Sequence, residues 1–210
     1  MVGSVGSIAA TMMLVSSSSL DDSDPELIRR VAGKDRRAFE TLYQRYAGRL
    51  HRYLFRLIAQ PDVVEEVLDD VMLVVWESAA RFNHTSRVST WIFGIAHFKA
   101  LKARARLSGR AGEQPVSEDQ AGEGEGPEDA TLRGEVGRVV AQGLKALSPE
   151  QRAVVELTFY QGRSYQEIAE ITRCPVNTVK TRMFHARRRL APLLAALGFG
   201  PRVASGESRE

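Results

Sequence analysis

Large apolar residues return every three or four positions along most of this chain, and no stretch alternates with the period of two that a half-buried strand needs. Asp24 ahead of Pro25 reads as an N-cap followed by a proline at the first helical position, so helical order is expected from Pro25. Phe39, Leu42, Tyr43, Tyr46, Leu50, Tyr53, Leu54 and Leu57 then form a wide amphipathic stripe, which Pro61 interrupts. A second helix is expected from Asp62 to about Ala80, with Val64, Val67, Leu68, Val71, Val75 and Trp76 inward. A third begins near Ser89, carries Trp91, Ile92, Ile95 and Ala96, and ends on the basic run Lys99, Lys102, Arg104 and Arg106. The pattern predicts an all-α fold.

The periodicity stops at Leu107. The next stretch is rich in Gly, Pro and acid, with Glu113, Glu118, Asp119, Glu123, Glu125, Glu128 and Asp129 against the single base Arg110. Such a segment buries too little apolar surface to offset its ordering entropy. It is expected to be a flexible polyanionic linker, whether a mere tether or a functional one. Helical order resumes near Leu132. Ser148 with Pro149 and Gln151, and Ser164 with Glu167, are two capping boxes, each opening a helix. The predicted organisation is a disordered extension (1–24), a helical block (25–106), the linker (107–131), a second helical block (132–197) and a disordered tail (198–210).

Composition narrows the function. The 210 residues carry a formal net charge of +3, which permits a polyanion partner without requiring one. The single cysteine, Cys174, excludes an internal disulfide and a cysteine zinc cluster, and the four histidines lack ligand spacing. No Gly-rich phosphate loop or nucleophile–base pair is present, so no catalytic residue, metal or cofactor is expected. The short apolar run Ile8–Val15 has no Lys or Arg before it and is too short to span a bilayer. A cytoplasmic protein without membrane insertion is expected.

The most informative stretch is SYQEIAEITRCPVNTVKTRMFHARRRL, Ser164 to Leu190. Ile168, Ala169 and Ile171 are expected inward on a first short helix, and Arg173-Cys174-Pro175 forms a turn, because Pro175 biases Cys174 out of helical geometry. A second helix from about Asn177 would bury Val179, Met183, Ala186 and Leu190 and show Lys180, Thr181, Phe184, His185 and Arg188 on its other face. Many helical hairpins are only packing units, and many basic faces are only solvated. Two caps, a short turn, a small crossing residue and clustered bases together favour a helix-turn-helix that reads the major groove.

VVEEVLDDVMLVVWESAARF followed by SRVSTWIFGIAHFKALKARAR resembles region 2 of the extracytoplasmic-function (ECF) group of sigma-70 family factors, and SPEQRAVVELTFYQGRSYQEIAEITRCPVNTVKTRMFHARRRL resembles their region 4. The resemblance implies a sigma factor that binds core RNA polymerase through the β′ clamp helices and the β flap, recognises −35 and −10 promoter DNA, and starts transcription without enzymatic activity of its own. It implies polymerase docking through Glu65, Glu66, Asp69 and Asp70, and capture of a flipped −10 base by Asn83, His84, Thr85, Ser86 and Arg87, with Trp91 at the head of the next helix. It places −35 contacts at Asn177, Lys180, Thr181, Arg182, Phe184, His185 and Arg188. An anti-sigma factor is a common partner of this group. The chain departs from the family pattern at Val63 and Val74, at His97-Phe98 in place of the usual Arg-Asn, and at His185 in place of a frequent Arg. The alternative is a free-standing helix-turn-helix regulator with an all-α sensing domain, which would bind its operator alone and support no transcription with bare core polymerase.

Overall fold

The computed structural model describes residues 23–111, 143–144 and 146–196. The tail, nearly all of the N-terminal extension, most of the acidic linker and the expected resumption of helix near Leu132 lie outside the described residues. Seven α-helices run through the described part: α1 (Asp24–Ala32), α2 (Arg36–Ile58), α3 (Pro61–Ser78), α4 (Val88–Ala111), α5 (Pro149–Val155), α6 (Tyr165–Thr172) and α7 (Val176–Ala196). A 3-10 turn, Ala79–Arg81, follows α3, and a π-helical turn, Glu156–Tyr160, continues α5. No strand occurs among the described residues.

The helix starts show how local chemistry and tertiary partners compete. Asp24 is not the cap of α1 but its first residue; Ser23 takes the cap position without a side-chain bond. The Asp24 carboxylate instead accepts from Arg45 Nη1 at 2.6 Å and from the Tyr46 hydroxyl. A cation and a phenol on α2 outbid one amide, since hydrogen bonds between charged partners are the stronger kind. Helical order also breaks once before the long stripe. Lys34 adopts φ 65°, and Asp35 caps α2, its Oδ1 accepting from the amides of Arg37 (2.9 Å) and Ala38 (3.2 Å). At the other end α4 runs past the change in composition at Leu107, because Leu107 is still packed against the core. Both expected capping boxes form, at Ser148–Gln151 and Ser164–Glu167.

Helix α2 is the centre of the first half, packed by α1, α3 and α4, and it buries Leu42, Tyr46, Leu50, Tyr53, Leu54 and Leu57. In the second half α7 packs across α5 and α6. The halves also lie against one another: α4 packs on α6, α2 touches α5, and the buried side chains of both join in one cluster. Gly94 lies at this seam. A Cβ there would already meet the Cα and carbonyl oxygen of Ile171 at 3.9 Å.

Candidate nucleic-acid interface

The acidic stripe is set by the packing of α3. Burial of Val64, Val67, Leu68, Val71, Met72 and Val75 leaves Glu65, Glu66 and Asp69 exposed and Asp70 half-buried. Three of these four acids are engaged. Glu65 Oε1 lies 3.2 Å from His51 Nε2, Glu66 accepts from Arg106 at 3.0 Å, and Asp70 accepts from Lys99 at 2.9 Å. Partial burial, with Glu65 and Asp70 nearby, pushes the Asp69 carboxyl above its usual range. One turn beyond Asp69, Leu73 is 52% exposed. It was missed in the sequence, yet its signal was there: an apolar residue on the polar side of a well-marked stripe.

The loop between α3 and α4 is pinned by Phe82, also missed in the sequence. Its buried ring meets the Trp91 ring at 5.2 Å and the His84 ring edge-on at 4.7 Å. A lone large apolar residue between Arg81 and Asn83 was the available cue. Asn83 Oδ1 accepts from the Thr85 amide (3.2 Å) and hydroxyl (2.8 Å), closing the loop tip, while His84 takes φ 57°. This leaves Asn83, His84, Thr85 and Arg87 exposed, with Ser86 and Trp91 half-buried. Ser86, Trp91, Gly94, Phe98 and Ile171 help to line a cleft of about 430 Å³ between α4 and α6.

The hairpin is held by short-range hydrogen bonds. Ser164 Oγ accepts from the Glu167 amide (3.2 Å), and Glu167 Oε2 accepts from the Ser164 amide (2.9 Å). Arg173 ends α6 in left-handed geometry, and the Pro175 carbonyl accepts from Thr178 (2.9 Å) and Val179 (3.2 Å) to begin α7. Val179, Met183 and Ala186 are buried, and Leu190 is half-buried. The opposite face of α7 therefore presents Asn177, Lys180, Thr181, Phe184, His185 and Arg188 to solvent, with Phe184 57% exposed. Arg188 extends over the Phe184 ring at 5.9 Å. Arg182 stands apart from this row. It is half-buried, with Nη1 3.5 Å from Cys174 Sγ, and its charge helps burial to depress the pKa of His97 on α4. With Ser148, Glu150, Asn177, Thr181 and His185 it lines a cleft of about 470 Å³ between α5 and α7. Among the described residues no helix is long and apolar enough to cross a membrane, and no group of three or more His, Cys, Asp and Glu side chains is placed to hold a metal ion.

Comparison with known families and structures agrees with this geometry. The description Sigma-70 region 2 matches residues 42–110, and Sigma-70, region 4 matches residues 138–190. The chain is 30% identical over 174 residues to the ECF RNA polymerase sigma factor SigK of Mycobacterium tuberculosis, covering 78% of this chain and 89% of that protein. It is 28% identical over 186 residues to the RNA polymerase sigma-H factor of Pseudomonas aeruginosa, covering 82% and 96%. Among solved structures it is similar to CnrH in complex with the cytosolic domain of CnrY, with a TM-score of 0.63, 25% identity, and coverage of 83% of this chain and 99% of that one. The sigma factor RpoE of Bartonella quintana, bound to the anti-sigma factor NepR, shares the fold at a TM-score of 0.60 and 23% identity, covering 75% and 96%.

Proposed function

The chain belongs to the ECF group of the sigma-70 family of RNA polymerase sigma factors, and from that membership we propose how its two helical halves divide the work. The protein binds core RNA polymerase, recognises promoter DNA and starts transcription. The observation that carries the division of labour is the row on α7: Asn177, Lys180, Thr181, Phe184 and His185 stand exposed on a helix whose other face is locked by Val179, Met183 and Ala186.

The second half is the −35 reader. Lys180 donates to guanine O6 and N7, and Phe184 offers an apolar surface to a thymine methyl. Arg188 and its neighbours neutralise phosphates, which positions the helix without specifying sequence. The Thr181 hydroxyl donates to the Asn177 carbonyl at 3.0 Å, which leaves its lone pairs and methyl for DNA.

The first half melts and holds the −10 element. Its loop offers polar edges at Asn83, His84 and Thr85 and a cation at Arg87, braced by the Phe82–Trp91 contact. Capture of an unpaired base needs these parts: a shaped recess, polar edges and a backbone cation. Polymerase docking falls to α3, through Glu65 and Asp69 with Leu73 beside them, while Glu66 and Asp70 sit closer to the cations of α4. The protein acts as a specificity subunit rather than an enzyme, with the chemistry left to polymerase, and it works in the cytoplasm where polymerase is. Because the RpoE relative is held by an anti-sigma factor, a protein antagonist is proposed for this chain as well.

Run-off transcription tests the reading. Purified protein added to bare core polymerase should produce discrete transcripts from a genomic promoter library. A protein that binds duplex DNA tightly by itself and yields no transcript with core enzyme would be a free-standing regulator instead.

A further inference from the structure

The residues that open α5 stand beside the reading row of α7, and one of them carries the wrong charge for DNA. Helix α7 carries Lys180, Arg182, Arg187, Arg188 and Arg189 and contains no Asp or Glu. The cleft of about 470 Å³ between α5 and α7 is lined on one side by Asn177, Thr181 and His185, all members of the row, and on the other by Ser148, Glu150 and Gln151. Glu150 is the one carboxylate in that lining.

Local structure holds this carboxylate in place. Glu150 is the second residue of α5, whose start is fixed by the Ser148–Gln151 capping box. The Ser148 hydroxyl donates to the Glu150 side chain. Just upstream, the Arg189 guanidinium of α7 donates to the Ala146 carbonyl at 3.0 Å, and Leu147 is buried. Ala153 and Val154 of α5 and Val179, Met183 and Ala186 of α7 are all buried where the two helices pack.

Glu150 is also charged. Burial tends to raise its pKa, but its own backbone amide, the Ser148 hydroxyl and the charges of Arg182 and of Arg104 on α4 hold it below the usual carboxylate range. Among the described residues it forms no ion pair, and Arg182 directs Nη1 instead at Cys174 Sγ, 3.5 Å away. An acid in the first turn of a helix complements the positive end of the helix dipole. That accounts for an acid on α5, but not for its place in the lining shared with the reading row.

Dimensions decide what this acid meets. A helix with its side chains is about 10–12 Å across and the major groove about 12 Å wide, so α7 fills the groove once its row is seated. A helix packed about 8–10 Å away then lies over the edge of the groove, against phosphates rather than bases. Charges on the duplex recur about every 1.7 Å along its axis, and repulsion reaches about 8 Å at physiological salt. A fixed carboxylate on that side falls within range of phosphate.

We propose that Glu150 is an affinity-limiting residue of the −35 reader: its carboxylate repels the phosphate strand that flanks the groove, so that α7 seats stably only where its base contacts are made. The inference rests on the −35 reading of α7 and adds a residue that opposes DNA binding. Phosphate contacts supply nearly all sequence-independent binding, and a genome offers about 10⁶–10⁹ competing sites, so a purely cationic reader would be held by the wrong DNA. One opposing charge lowers that background and leaves Lys180 and Phe184 their bases.

Duplex affinity tests the proposal. Full-length wild-type protein, Glu150→Gln and Glu150→Asp are titrated against a fluorescent DNA duplex of mixed sequence at about 50 mM and about 200 mM salt. Glu150→Gln keeps the size of the side chain and an acceptor for Ser148 but removes the charge. It should bind about three- to tenfold more tightly at the lower salt, with a slope of log affinity against log salt steeper by up to about one unit. Glu150→Asp keeps the charge and should stay close to wild type. The gain in Glu150→Gln should be the same for duplexes with and without a −35 element. The proposal is overturned if Glu150→Gln leaves affinity and slope unchanged, or if it weakens binding as the loss of a merely structural acid would. It is overturned equally if Glu150→Asp gains as much as Glu150→Gln, or if the gain is confined to duplexes carrying one particular base pair. Wild-type protein that fails in run-off transcription with core polymerase would instead count against the sigma-factor reading, and the duplex comparison is read without it.

Discussion

Gly94 on α4 faces Ile171 on α6 so closely that an added Cβ would touch both the Cα and the carbonyl oxygen of Ile171 at 3.9 Å. That distance is ordinary contact, so Gly94→Ala should leave the halves together and gain about 1 kcal/mol of helix propensity. Gly94→Leu must place its extra atoms against Ile171 or in the cleft beside it, so it should loosen α6 more than alanine does. Hydrogen exchange provides the readout: amides of α6 and of the π-turn should exchange faster in Gly94→Leu than in Gly94→Ala, while α2 and α3 stay protected. Equal protection of α6 in the two variants would mean that the contact does not govern the seam.

Two buried groups at or beside this seam give the protein opposed responses to pH. Glu156 is 1% exposed, and burial pushes its carboxyl from 4.5 up to about 7 against the pull of Arg56 on α2 and Arg152 on α5, with Tyr53 also near. His97 is 3% exposed and bonded to the Tyr53 hydroxyl at 3.0 Å; burial, then Arg182, lowers it from 6.5 to about 4, with Glu150 opposing. Glu156 holds its proton more tightly when folded, so its contribution is complete below pH 4.5 and is lost as pH rises toward about 7. His97 holds its proton less tightly when folded, so its contribution is complete above 6.5 and is lost as pH falls toward about 4. Between pH 4.5 and 6.5 the two slopes oppose each other. Relative to wild type, Glu156→Gln should melt progressively earlier as the solution is acidified through that window, and His97→Gln progressively earlier as it is made more basic. Melting curves of the three proteins that shift in parallel with pH would contradict both assignments.

The acids of α3 should separate into two groups. Glu66 and Asp70 are paired with Arg106 and Lys99 on α4; these are exposed or half-exposed pairs, so neutralising either should cost no more than about 1 kcal/mol. Among the described residues Asp69 has no such ion pair, and it stands one turn from exposed Leu73. Asp69→Lys with Leu73→Ala should therefore weaken binding to core polymerase more than Glu66→Gln with Asp70→Asn, at nearly unchanged melting temperature. Surface-immobilised core enzyme measures this directly, and the reverse ranking would move the docking face toward α4.

Much of the fold was legible because it depends on local rules. The stripes of α2 and α3 follow the helical period, and both capping boxes form where Ser stands three residues before Gln or Glu. What was not legible depends on partners far away in sequence. Asp24 fits a cap, but Arg45 and Tyr46 claim its carboxylate. Glu66 and Asp70 fit a free acidic face until α4 brings Arg106 and Lys99 alongside. Arg182 fits a phosphate contact by its charge, yet a half-turn of helical phase points it toward Cys174. The seam was the hardest feature to anticipate, since nothing in the spacing of Gly94 says that another helix will fill the space it leaves.

The row on α7 yields the sharpest test, because its members should fail differently. Lys180 is exposed on the first turns of the helix, the part that enters the groove, and a Lys donating to guanine O6 and N7 is worth about 1–3 kcal/mol of discrimination. Arg188 lies two turns further on, extended over the Phe184 ring, where the helix passes the phosphate backbone. Lys180→Ala should therefore relax the preference at one base pair of the −35 element and leave other positions as they were. Arg188→Ala should weaken all promoters alike and make affinity less sensitive to salt, since each lost phosphate contact removes about one unit from the slope of log affinity against log salt. Run-off transcription from a −35 library at two salt concentrations reads both effects at once. If Lys180→Ala left the base preferences untouched, or if Arg188→Ala changed them at one position, the exposed row of α7 would be oriented differently in the groove from what its burial pattern implies.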